Sequence, residues 1–282
     1  MKTKIITDST CDLPADILQQ YDITVLPLHI SKGAESYLDG VQIQPEDIYA
    51  YVDAGGEICS TASVNISEFF ECFETFSPLY DAVIAITIGS GFSGCNQNAQ
   101  VAAQKFENVY IMDSCNLSTG QGMLVLKAAE LAQEEIAAAE ICYQLEKIVP
   151  KIKSSFILDR LDYLKQGGRC SSVAALGANL LQLKPCIEVK DGHMAVGKKY
   201  RGSFSKAVCQ YAKDQLTSCG KVCTDKAIIA IADPNGGVAD MEAAKKVISE
   251  IVRFETIVQT HAGCTVACHC GPTTLGITFM RE

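Results

Sequence analysis

The sequence predicts an α/β protein of two domains, and three observations carry that prediction. Short apolar runs with strand character alternate with helical patterns from the first residues onward. Residues 82–88, 93–106 and 108–112 read as strand, helix, strand, a βαβ unit that requires a parallel sheet covered by helices. Beyond residue 153 the alternation gives way to strands and helices without βαβ order. The expected division is an N-terminal parallel-sheet α/β domain over 1–153 and a C-terminal mixed α/β domain over 154–282.

Each element follows from local pattern. Residues 4–7 read as a strand and 14–21 as a helix that Pro14 opens, since a first-turn residue needs no N–H partner. Residues 24–30 form a second apolar run. Over 67–76, apolar residues at 69, 70, 73 and 76 make one helix face. After the βαβ unit, 120–134 and 138–152 are helical patterns. Residues 155–158, 186–190 and 194–200 read as strands, the last two joined through Asp191-Gly192, a hairpin signal. Residues 203–217 are helical and 227–232 a strand. Asp-Pro-Asn-Gly-Gly at 233–237 is a turn. Residues 238–253 are helical, and 255–260 and 275–280 are the final strands.

Composition narrows the function. The chain has 282 residues, 48% of them hydrophobic, which suffices for a large core. No apolar run reaches membrane-spanning length, and MKTKIITDST offers no signal segment, so a cytoplasmic location is expected. A net charge of −9 argues against general nucleic-acid binding. Thirteen Lys and Arg against four Asp and Glu nevertheless fall between Lys147 and Lys213, a solvated face or a dock for an acidic partner. The fourteen cysteines are scattered, mostly in apolar segments, where a thiol acts as a small hydrophobe. Free thiols are therefore expected.

Four polar clusters stand out: Ser60-Thr61-Ala62-Ser63, Gly89-Ser90-Gly91-Phe92-Ser93-Gly94, Lys165-Gln166-Gly167-Gly168-Arg169 and His269-Cys270-Gly271-Pro272. The second lies between a strand and a helix and spells G-x-G-x-x-G, with Asp113 ending the next strand. That pattern fits a dinucleotide site, and so an NAD-dependent oxidoreductase using residues 89–94. It fits equally a loop that places Ser93 as a cap, at a helix N-terminus able to hold another anion, with Asp113 capping Cys115-Asn116. Thr61 and Ser63 precede a helix and suit a cap or turn. Arg169 is a forked donor for carboxylate or phosphate. Residues 261–270 place five His and Cys close together. Read as a strand, they put Cys268 and Cys270 on one face and His269 on the other, which does not suit a zinc site. Ser93 paired with His269 would suit a lipid-ester hydrolase, although no G-x-S-x-G elbow is present.

Taken in order, these stretches resemble the DegV family nearly end to end. Asp8-Ser9-Thr10-Cys11-Asp12-Leu13-Pro14 resembles its opening, Thr61 begins its threonine–serine segment, and Gly91-Phe92-Ser93-Gly94 is similar to its serine loop. Residues 161–169, Leu183-Lys184-Pro185 and His269-Cys270-Gly271-Pro272 complete the match. The resemblance implies a non-catalytic lipid-binding protein that takes one long-chain fatty acid between two α/β domains and requires no cofactor or metal. Thr61, Ser93, His269 and Arg169 would surround the carboxylate. The tail would enter an apolar tunnel, with Phe69, Phe70 and Phe73 either lining it or forming ordinary core. The implied partners are the ATP-binding subunit of a fatty-acid kinase, to which the carboxylate is presented for acyl-phosphate formation, and a membrane touched transiently. No nucleic acid is implied. The sequence departs from the family at Ser63-Val64-Asn65, where Gln-Pro-Ser is usual, and at Thr273, where glycine is usual.

Overall fold

The computed structural model describes residues 2–174, 183–233 and 237–282. The chain opens with β1 (Thr3–Asp8), α1 (Ala15–Gln20), β2 (Thr24–Leu26), β3 (His29–Lys32), β4 (Glu35–Leu38), α2 (Pro45–Asp53) and β5 (Ser60–Ala62). It continues through α3 (Ile66–Phe76), β6 (Ala82–Thr87), α4 (Cys95–Ala103), β7 (Val109–Asp113), α5 (Thr119–Gln133) and α6 (Ala138–Ile148). Then come β8 (Ile152–Leu158), α7 (Asp162–Gly167), α8 (Ser171–Ala174), β9 (Leu183–Lys190), β10 (His193–Arg201) and α9 (Phe204–Ser218). The last elements are β11 (Val222–Ala232), α10 (Val238–Ile251), β12 (Thr256–His261), α11 (Cys264–Cys270) and β13 (Thr274–Arg281).

The α/β prediction holds. Four strands in the order β2-β1-β6-β7 form a wholly parallel sheet. Six strands in the order β10-β9-β8-β13-β11-β12 form a mixed sheet, in which only β11 and β12 run parallel. The Asp191-Gly192 turn joins β9 and β10 as an antiparallel hairpin, as its sequence predicts. The central residues of the turn expected at 233–237 lie outside the described residues. β6 is buried along its whole length because helices cover both faces of its sheet.

Three local readings change. The apolar run 24–30 is two strands in different sheets. Pro27 has no N–H to give a ladder, so pairing with β1 stops at Leu26 and the chain re-enters as β3. β3 is the middle strand of a small antiparallel sheet, β4-β3-β5, which places Thr61 on a strand rather than in a helix cap. The run 261–270 is mainly a helix, α11. Seven residues are too few for a helix to stand alone in water. Its start is held from a distance: Asp39 accepts hydrogen bonds from the N–H groups of Cys264 (2.9 Å) and Thr265 (3.1 Å) and from the Thr265 hydroxyl (2.7 Å). Asp12 accepts the Gly263 N–H at 2.8 Å. Two buried carboxylates thus meet the free amides and the positive end of the helix dipole.

A third buried carboxylate, Asp8, joins two loops. It accepts the N–H groups of Thr10 (3.1 Å) and Ile88 (2.7 Å), together with the Thr10 hydroxyl and the Gln121 amide. The ends of β1 and β6 are therefore fixed to one another. Around Lys147 to Lys213, part of the positive charge is met locally, by Lys153 with Glu188, Arg160 with Asp162, Lys184 with Asp159 and Lys198 with Asp214. All fourteen cysteines are unpaired.

Two stability outcomes follow from this architecture. Asp39→Ala leaves the Ser9 and Thr265 hydroxyls and two α11 amides without their acceptor, and should cost at least about 3 kcal/mol in denaturant unfolding. A loss below about 1 kcal/mol would show that α11 does not depend on this carboxylate. Thr273 adopts φ 61°, a region that a β-branched residue enters at a cost. Thr273→Gly should raise stability by about 1 kcal/mol in the same measurement.

Candidate functional site

In the parallel sheet the chain moves from β1 outward to β2 on one side, and β6 then pairs on the other side. Loops leaving adjacent strands in opposite directions open a crevice beyond their carboxyl ends. Here those loops carry Thr10 after β1 and Ile88, Phe92 and Ser93 after β6, and all four line a cavity of about 240 Å³. β5 adds Thr61 and Ala62 to the wall, α7 and the residues after it add Leu164 and Arg169, β10 adds Met194, and α11 adds Thr265, Val266, His269 and Cys270. Thr61, Ser93, Arg169 and His269, far apart in sequence, therefore face one space.

The polar end is organised by close contacts. Thr61 Oγ1 and His269 Nε2 lie 2.9 Å apart across a separation of 208 residues. His269 Nδ1 is buried and has no hydrogen-bond partner among the described residues. It packs against Gly167, where an added Cβ would come within 2.2 Å of that nitrogen. Arg169 Nη1 donates to Gly167 O at 2.8 Å, which fixes the turn beneath the imidazole. Burial first, and the Arg169 charge second, pull the His269 imidazole down to about 4, so it is neutral at neutral pH. Gly91 makes the second close approach. A Cβ there would lie 2.3 Å from Gly192 O, so the serine loop rests directly on the β9–β10 turn.

Gly94, not Ser93, occupies the N-cap of α4. Ser93 sits one residue earlier, and its hydroxyl still reaches Cys95 N at 3.4 Å. Asp113 accepts hydrogen bonds from Ser90 N (3.1 Å) and Cys115 N (2.8 Å), so its carboxylate braces two loops. His269 is paired with Thr61 and not with Ser93. Both arrangements remove geometric support from the nucleotide and hydrolase readings of these residues.

The interior is apolar. Leu28, Ile88, Phe92, Leu117, Leu164, Met194 and Val266 line it. A smaller space of about 30 Å³ shares Leu117, Val266 and Cys270 with it and mixes small apolar residues such as Ala230 and Ala262 with the hydroxyls of Ser118, Thr119, Ser154, Ser155 and Thr274. Phe69, Phe70 and Phe73 are absent from both linings. Phe69 and Phe73 are core residues whose ring centroids lie 5.9 Å apart, and Phe70 packs on Phe106 at 5.3 Å. The three follow one helix face because α3 packs on α4, not because they border a ligand. Sequence reasoning missed Thr10, Met194 and Thr265 as lining residues. For Thr10 a signal existed, a polar Asp-Ser-Thr run directly after a parallel strand. Met194 and Thr265 carry no local signal.

Two titrations of opposite sign bear on the site. Burial raises the Asp12 carboxyl to about 7, so its folded form holds a proton that the unfolded chain releases above its ordinary value of 3.8. Its stabilising contribution is complete below that value and is lost as pH rises toward 7. His269 is depressed from 6.5 to about 4, so its contribution is complete above 6.5 and is lost as pH falls toward 4. Compared with the parent protein, Asp12→Asn should lose stability more steeply as pH falls through this window. His269→Gln should lose it more steeply as pH rises. Unfolding midpoints across the window check both signs.

The sequence model of the DegV family, described as "Uncharacterised protein, DegV family", matches residues 2–282. A DegV domain-containing protein of Caldanaerobacter subterraneus is 34% identical, covering 100% of this chain and 99% of that one. One of Clostridium acetobutylicum is 33% identical over the same shares. Among solved structures, a fatty-acid-binding DegV family protein from Thermus thermophilus superposes with a TM-score of 0.92 at 27% identity, covering 100% of both chains. A stearic-acid-binding protein from Eubacterium ventriosum does so at 0.88 and 26% identity, covering 100% of this chain and 98% of that one. With sequence motifs, sheet topology and full-length matches in agreement, the chain belongs to the DegV family.

Proposed function

We propose that this protein binds one long-chain fatty acid in the cavity, with the carboxylate at Thr61, Ser93, His269 and Arg169. The observation that carries the reading is a cavity whose lining combines hydroxyls, an imidazole and a guanidinium with apolar side chains. A fatty acid needs both chemistries. The relatives from Thermus thermophilus and Eubacterium ventriosum, which bind fatty acid and stearic acid, support it.

The chemistry is that of satisfying an anion away from water. A buried carboxylate is costly unless donors surround it. With the Nε2–H of neutral His269 donating to Thr61 Oγ1, the Thr61 hydroxyl is left to donate to the ligand. Ser93 supplies a second hydroxyl, and Arg169 supplies charge at the rim, where it stays exposed. Each methylene transferred from water into the lining contributes about 0.8 kcal/mol, so the tail provides most of the affinity and the polar end sets its direction.

In this reading the protein is a carrier and not an enzyme. It works in the cytoplasm, divides near residue 153 into an N-terminal and a C-terminal domain, and holds its ligand between them. It presents the carboxylate to the ATP-binding subunit of a fatty-acid kinase, which forms the acyl phosphate, and it exchanges lipid during brief contact with a membrane. The excess of Lys and Arg between Lys147 and Lys213 offers an acidic partner a complementary surface.

Native mass spectrometry of the purified protein, with lipid extraction, tests the reading. About one fatty acid per chain is expected. Ser93→Ala should bind it about ten- to a hundredfold more weakly while unfolding near the parent midpoint, the loss of one donor to a charged acceptor. A protein that neither carries nor takes up fatty acid refutes the proposal. Unchanged affinity in Ser93→Ala refutes the assigned carboxylate site alone.

A further inference from the structure

The smaller space that adjoins the cavity across Leu117, Val266 and Cys270 lies against one face of the mixed sheet. Directly paired strand residues share a face, and alternate residues return to it. Ser154 and Phe156 of β8 therefore stand on the same face as Thr274, Gly276 and Thr278 of β13. Gly276 is the middle of that row. It has no left-handed φ, and an added Cβ would meet only Ser155 O at 3.5 Å and Phe156 Cβ at 3.6 Å. Those are ordinary contacts, so the protein's own packing does not require glycine, which weakens a strand interior. Its missing side chain leaves the space open from Thr274, bonded to Cys270 O at 3.1 Å, to Ser154.

At the Ser154 end one donor is left over. Thr278 Oγ1 donates to Ser154 Oγ at 3.1 Å. A hydroxyl has one proton, so the 2.7 Å contact between Thr119 and Thr278 is donated by Thr119. The chain runs from Thr119 through Thr278 to Ser154, whose own proton has no acceptor among the described residues. The other hydroxyls of the space are spent: Ser118 donates to Asp12, Thr274 to Cys270 O, and Ser155 to Tyr211, whose proton goes to Ser155 O. Ser154 is only 5% exposed, so bulk water does not supply the acceptor. A buried donor in this state is unfavourable.

We propose that this space is an oxygen subsite, and that the protein takes a fatty acid bearing a hydroxyl on the distal part of its tail, whose oxygen accepts the Ser154 proton. The inference rests on the fatty-acid reading above and names the class of acid. A plain methyl end placed here leaves the Ser154 donor unmatched. A hydroxyl oxygen matches it, and a space of about 30 Å³ holds one group of that size. Gly276 gives the chain room to pass Phe156 on its way there.

The experiment displaces a fluorescent fatty acid from the whole protein with stearate and with stearates hydroxylated at successive positions from mid-chain to the last carbon. An isomer with its hydroxyl on the distal half should compete about tenfold better than stearate, the contribution of one added buried hydrogen bond. In Ser154→Ala that preference should disappear. Gly276→Ala, whose methyl group makes only ordinary contacts, is a second variant that folds, and it should lose the preference because the way to Ser154 is narrowed. Equal displacement by stearate and every isomer, the result a trapped water on Ser154 would give, overturns the oxygen subsite and leaves the fatty-acid reading standing. A preference that survives in both variants overturns it too. A protein that binds neither the fluorescent probe nor any of the acids refutes the fatty-acid reading, and the subsite with it.

Discussion

The hydrogen bonds from Asp39 and Asp12 to the start of α11 are the constraint on which the site depends. α11 carries His269, Val266 and Cys270 into the cavity wall, yet it is too short to persist by its own propensity. Its stability is imported. Asp39 accepts from the helix start and from Ser9, and Asp12 accepts from Gly263 and Ser118. The same groups that stabilise the helix therefore fix its position relative to β1 and the small sheet. Burying carboxylates this deeply is unfavourable unless their lone pairs are filled, and the amides at the start of α11 fill them together with the Ser9, Ser118 and Thr265 hydroxyls.

The cavity inherits its location from sheet topology. The crevice between the β1 and β6 loops exists because β2 and β6 flank β1 on opposite sides. Asp8 keeps the two loops together from beneath. What the fold supplies is a place where helix ends and free hydroxyls converge. What the particular residues supply is its chemistry, polar donors together with an apolar lining. The glycine-rich loop, which in another setting would approach a pyrophosphate, here lies against the β9–β10 turn and offers Ser93 to the cavity.

Much of this architecture was legible in the sequence. Strands fully covered by helices leave uninterrupted apolar runs, as in β6, and amphipathic helices such as α3 leave a face. The hairpin at Asp191-Gly192 was legible because two residues determine its turn. The small sheet was not: β3, β4 and β5 are short, and β4 is largely exposed, so none shows an extended pattern. α11 was misread because its helical state is set by Asp39, 225 residues away from Cys264, and no local window contains that information. The four polar residues could be named because the short polar clusters that hold them resemble the motifs of the DegV family. Met194 and Thr265 could not, because an apolar residue in a strand and a threonine in a helix give no sign of what they face.

The remote capping of α11 also sets an order of events during synthesis. Asp12, Asp39, Thr61 and Ser93 are made early, while the rest of the chain is still emerging. α11 is the last helix to be made, and its amides find acceptors only when the chain has closed on itself over more than two hundred residues. A nascent chain paused before α11 holds most of the cavity wall but lacks the imidazole that orients Thr61. Closure of the cavity wall is thereby coupled to the final stage of folding, and an incomplete chain has an open pocket.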